Sequence, residues 1–149
     1  MKLSKTLILF FFILLTFACT KEQSSTESMK VQAIKSATSG WLVDRYTSVN
    51  NTPIDSKTFT GDAKFIDQFI YKFQNDGIVR SFDKISITTA GPSGTWSLIE
   101  NDTKLDINIS GSKGIWEVIE LSTQKMILQN KIKINNVETP VNMVFVPIK

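Results

Sequence analysis

The chain contains no histidine and only one cysteine, Cys19. Lack of histidine removes the side chain that most often serves as a general base near neutral pH and as a metal ligand. Ser-His-Asp triads, Cys-His pairs and zinc sites go with it. A lone cysteine excludes a disulfide within the chain. Clustered positive charge is missing as well. The 17 basic and 14 acidic residues are interspersed, and two of the basic ones, Lys2 and Lys5, lie in a segment expected to be removed, which leaves 15 against 14. Nothing in that balance marks a nucleic-acid footprint. No apolar run reaches the about 20 residues that a membrane-crossing helix needs. Only carboxylate, tyrosine or lysine chemistry remains for an enzyme, and the expectation is a non-enzyme without cofactor or metal.

What is present begins at Leu7, where an apolar stretch runs to Phe17 behind Lys2 and Lys5 and ends in the small residue Ala18. That order is a cleavable export signal over residues 1–18. Cys19 follows the cut directly, and the junction resembles the lipobox of bacterial lipoproteins. The resemblance implies acylation of Cys19, which would become the new N-terminus. The other reading is an ordinary secretory signal with a chance cysteine; against it, Cys19 has no second cysteine to pair with in an oxidising compartment. Acylation implies a bacterial cell-envelope protein, lipid-anchored and outer-membrane, its face of the membrane open. Residues 19–39 are rich in Ser, Thr, Lys, Glu and Gln and read as a flexible tether. Within them Met29, Val31 and Ile34 allow one helical turn, stable only if it docks.

From Gly40 to Lys149 the apolar period is two. Strands are expected at 40–46, 69–74, 78–82, 84–88, 95–100, 105–110, from 116, 126–134 and 141–147, the 84–88 segment continuing the one before it. Asp76-Gly77, Asn101-Asp102, 111–114 and Asn135-Asn136 supply turns, and Ala90 to Gly94 is expected to break the chain. About eight short antiparallel strands without an amphipathic helix between them point to an all-β, up-and-down barrel, since closure removes exposed edges. The long connection from Pro53 to Lys64 is expected to act as a lid over one mouth.

Gly40-Trp41, Phe73-x-x-Asp76-Gly77, Gly94-Thr95-Trp96-Ser97-Leu98, Leu105, Trp116-Glu117-Val118, Leu121-Ser122 and Met126 occur in that order. Together they resemble the lipocalin-like small lipoproteins of the Bacteroidota, over nearly all of residues 40–149. The resemblance implies a lipocalin-like (calycin) barrel and, by analogy of fold, a small hydrophobic or amphipathic ligand. The alternative is a solid barrel that docks on another envelope protein.

Seven residues are candidates for ligand contact: Trp41, Arg45, Phe69, Tyr71, Phe73, Trp96 and Trp116. The aromatic six would point into one interior. They either line a pocket or fill the core, because an eight-stranded barrel is only just wide enough for its own side chains or one small ligand. Arg45 follows Trp41 and Val43 in alternation, so either it anchors a carboxylate inside or a bulge turns it out. Asp76 reads as turn chemistry rather than a calcium ligand with Asn75 and Asp83. Glu117 and Glu120 are three apart and fall on opposite faces of a strand, which argues against a catalytic pair with Asp106.

Overall fold

A computed structural model describes residues 27–110 and 113–148; the predicted export signal, Cys19 and residues up to 26 lie outside them. Helix α1 spans Met29–Ser36. Strands follow as β1 (Trp41–Ser48), β2 (Pro53–Ile54), β3 (Phe69–Phe73), β4 (Ile78–Asp83), β5 (Ala90–Ile99), β6 (Lys104–Asn108), β7 (Gly114–Leu121), β8 (Met126–Ile134) and β9 (Val137–Pro147). Two 3₁₀ segments, Ser56–Thr58 and Gly61–Gln68, lie between β2 and β3.

All neighbouring strands are antiparallel, and β9 returns to pair with β1 along Trp41 to Ser48. The sheet is therefore an up-and-down barrel closed by β1 and β3 to β9. Short β2 lies outside the ring and pairs with the far half of β1, at Tyr46 and Thr47. The strongest hairpin joins β8 and β9 in nine residue pairs through Asn135 and Asn136, both at positive φ. Asparagine tolerates that conformation, and a two-residue turn of this kind matches the twist of the strands.

The sequence expectations fail between β4 and β5. Residues 84–88 are not a strand. The Asp83 carboxylate accepts the Ile85 and Ser86 N–H groups at 2.7 and 2.9 Å, which turns the chain out of the sheet. The expected break at Ala90 to Gly94 is instead the first half of β5. A register slip between Arg80 and Phe82 accommodates Pro92, whose missing N–H a regular ladder would not tolerate. At Gly94 a Cβ would stand 2.0 Å from the Asn108 carbonyl oxygen, so only glycine permits this approach of β5 to β6.

Both ends of the barrel are covered. At one end α1 packs on β3 and β7. Ser28 Oγ caps its first turn by accepting the Val31 N–H, Ile34 is fully buried, and Trp41 Nε1 donates to the Ile34 carbonyl at 2.6 Å. Composition placed 29–39 in the tether; the structure docks α1 on the barrel, so the short helix meets the condition that stabilises it. At the other end the segment after β2 crosses the mouth, as expected of the 53–64 connection. Phe59 is buried edge-on against Tyr46 at 4.7 Å, and the Ile66 carbonyl accepts the Tyr71 hydroxyl.

Candidate functional site

The six aromatic candidates converge on the interior and fill it. Trp41, Tyr71, Phe73, Trp96 and Trp116 are all at least nine-tenths buried, and half-buried Phe69 packs against the same core. Phe73 meets Trp96 edge-to-face at 5.3 Å, and Tyr71 meets Phe145 at 6.3 Å. Between Ile66, Tyr71, Phe73, Trp116 and Phe145 only about 10 Å³ is left. That is at the lower limit for a single water, far below the about 300 Å³ of a small-molecule pocket. Of the two sequence readings, the aromatic residues form a core.

Arg45 takes the bulge. The β1–β9 register slips between Val43 and Arg45, leaving Asp44 as the extra residue. Beyond it Tyr46 resumes the inward face, while Arg45 turns to solvent and pairs with Asp44. Asp76 is turn chemistry, its carboxylate accepting the Ile78 N–H. Glu120 pairs with Lys125 at 2.7 Å, and Glu117 is exposed. Among the described residues no three His, Cys, Asp or Glu side chains are grouped to hold a metal.

A space of ligand size lies under the mouth-crossing segment, outside the packed interior. A groove of about 410 Å³ runs between Thr60, Ala63 and Ile66 on one side and Trp116, Asn130 and Ile132 on the other, with Lys113, Lys131 and Lys133 around it. Its position follows from the fold. Thr60 N–H and Oγ1 both bond the Lys133 carbonyl, at 2.9 and 3.2 Å, and Phe59 bridges to Ile134. These contacts clamp the segment to the end of β8. Gly114 opens β7 at φ +153° and leaves the wall beside Trp116 without a side chain.

The three indoles differ in partnership. Trp41 Nε1 bonds the Ile34 carbonyl and Trp96 Nε1 the Gln74 carbonyl. Trp116 Nε1 is buried and has no hydrogen-bond partner among the described residues. Leaving such a donor unmade costs about 1–3 kcal/mol. Next to it, Asn130 Oδ1 accepts the Lys131 N–H at 2.8 Å, which fixes the amide and turns Nδ2 the other way. A Cβ on Gly114 would stand 3.4 Å from Trp116 Nε1 and 3.5 Å from Asn130 Nδ2. Two donors thus converge beside Gly114 at the groove wall. Among the candidates named from sequence, only Trp116 lines this groove; Asn130, Ile132 and the three lysines were missed.

The molecule is thus a closed antiparallel barrel of eight strands, capped at both ends. No family model matches the sequence, and no curated protein matches it. Its fold is similar to solved structures from Bacteroides. A lipocalin-like protein from Bacteroides uniformis has 14% identity and a TM-score of 0.47, covering 72% of this chain and 94% of its own. A DUF4847 family protein from Bacteroides vulgatus has 16% identity and the same TM-score of 0.47, covering 80% of this chain and 98% of its own.

Proposed function

We propose that this protein is a lipid-anchored envelope lipoprotein whose barrel binds a small amphipathic ligand at its mouth rather than in its interior. The observation that carries the binding half is the groove of about 410 Å³ beneath the mouth-crossing segment, walled by Trp116 with its unpartnered indole N–H. Its volume falls within the range of small-molecule sites, which combine apolar walls with a few placed polar groups. The order of Lys2, Lys5, the apolar run and Cys19 supports the anchor. Native mass spectrometry of the protein purified from its own envelope, before and after denaturation, tests the reading. A small molecule released on unfolding is the expected result.

A second reading is a docking module without a ligand, which the filled interior favours. So does the outer wall, where Ile85 is 97% exposed and Ile87, 66% exposed, edges a depression it shares with Ile70, Phe82 and Ile148. A clean unliganded mass with an envelope protein retained would favour this second reading over the first.

A further inference from the structure

Among the described side chains that line it, the mouth groove presents hydrogen-bond donors and positive charge and no carboxylate. Trp116 Nε1 is a buried donor without a partner, and Asn130 Nδ2 is turned toward the same side of Gly114. Lys113, Lys131 and Lys133 add three cationic donors. Lys131 and Lys133 flank inward-facing Ile132 and are exposed, so their long stems are free to reach over the rim. No glutamate lines the groove, and none of its lysines is in an ion pair among the described residues. Glu138 stands opposite Lys133 in the β8–β9 register. A neutral alcohol or ester would satisfy one donor and leave the charge unused. A carboxylate accepts several hydrogen bonds at once, and those from charged donors are the stronger kind.

Resting on the mouth-binding reading, we infer that the groove selects the carboxylate of a compact amphipathic acid. The carboxylate lies toward the lysines and Asn130, and the apolar part lies along Ala63, Ile66 and Ile132. Below the groove, the cavity between Ile66, Trp116 and Phe145 holds only about 10 Å³, so a long chain has no room to extend inward from the mouth there. The acid is therefore short or compact, contained in the groove itself.

Calorimetric titration of the purified protein with octanoate and with 1-octanol, below the concentration at which either aggregates, tests the inference. Octanoate is expected to bind about tenfold or more tightly than octanol. The Lys131→Gln, Lys133→Gln double variant, altered only at exposed positions, is expected to lose that preference while still binding octanol. Equal affinity of the unaltered protein for acid and alcohol would overturn the carboxylate inference and leave the mouth-binding reading intact. Failure of both compounds to bind would count against the mouth-binding reading and the carboxylate inference together. A preference that survives in the double variant would show that Lys131 and Lys133 do not hold the carboxylate and would overturn their part of the inference.

Discussion

The indole N–H of Trp41 donates to the carbonyl of Ile34 at 2.6 Å, joining the first strand of the barrel to the helix that closes its end. Both residues are essentially fully buried. Helix α1 therefore counts as part of the folded unit. Ile34→Ala, which removes packing beneath the helix while leaving the carbonyl in place, is expected to cost about 2–4 kcal/mol. Chemical denaturation reads this as a lower midpoint at an unchanged slope. A change within 0.5 kcal/mol would mean that α1 is dispensable.

Gly94→Ala probes barrel closure. Its Cβ would meet the Asn108 carbonyl oxygen at 2.0 Å, a backbone atom that has no rotamer to escape into. The expected cost is about 3 kcal/mol or more, seen as a drop in melting temperature with the β-sheet circular dichroism retained at low temperature. Wild-type stability in this variant would show that β5 and β6 have slack the geometry denies.

Tyr46 provides a pH test. Its hydroxyl is buried without a partner among the described residues, and burial first, then Asp67 and Tyr71, raise its pKa. The folded state therefore holds this proton more tightly than the unfolded state, where tyrosine titrates near 10. The stability it contributes is complete below about pH 10 and is lost as pH climbs from there toward the raised value. Tyr46→Phe is expected to remove that alkaline loss. It should also raise stability near neutrality by roughly 1 kcal/mol, because an unsatisfied hydroxyl disappears. Melting curves from pH 8 to 11.5 for both proteins decide it. Parallel pH profiles would show that Tyr46 does not titrate differently on folding.

The proposed anchor is tested separately from the barrel. Cys19→Ser is expected to move the protein from the membrane fraction to the soluble fraction, or to leave the signal uncleaved, with loss of metabolic fatty-acid labelling. Two or more acyl chains hold a protein on a membrane where none would. Unchanged labelling would place the lipid elsewhere or nowhere.

Local chemistry made most of the barrel legible in the sequence. Asp76-Gly77 and Asn135-Asn136 announce their turns because the residue types that tolerate positive φ sit between alternating apolar runs. Ile85 and Ile87 imitate the same alternation, yet the Asp83 side chain competes for the backbone and turns both isoleucines into solvent. Pro92 hides the start of β5 because its tolerance depends on a slip in the neighbouring strand, a partner that sequence does not name. The groove was harder still. Lys131 and Lys133 around Ile132 look like the solvent face of any amphipathic strand. They become a rim only because Thr60 and Phe59, more than 70 residues earlier, are clamped to the same strand end. The length of the 53–64 connection and the choice of Trp116 were the signals in the sequence that pointed there.

On the proposed reading, ligand binds at the mouth and not among the interior aromatics. The three indole N–H signals in a nitrogen-15 correlation spectrum separate these directly, with Trp116 assigned by the signal lost in Trp116→Phe. Addition of octanoate is expected to shift the Trp116 indole proton as its orphan donor gains an acceptor, with Trp41 and Trp96, already bonded to Ile34 and Gln74, staying in place. Shifts at Trp41 and Trp96 with Trp116 unmoved would place the ligand inside the barrel and contradict it.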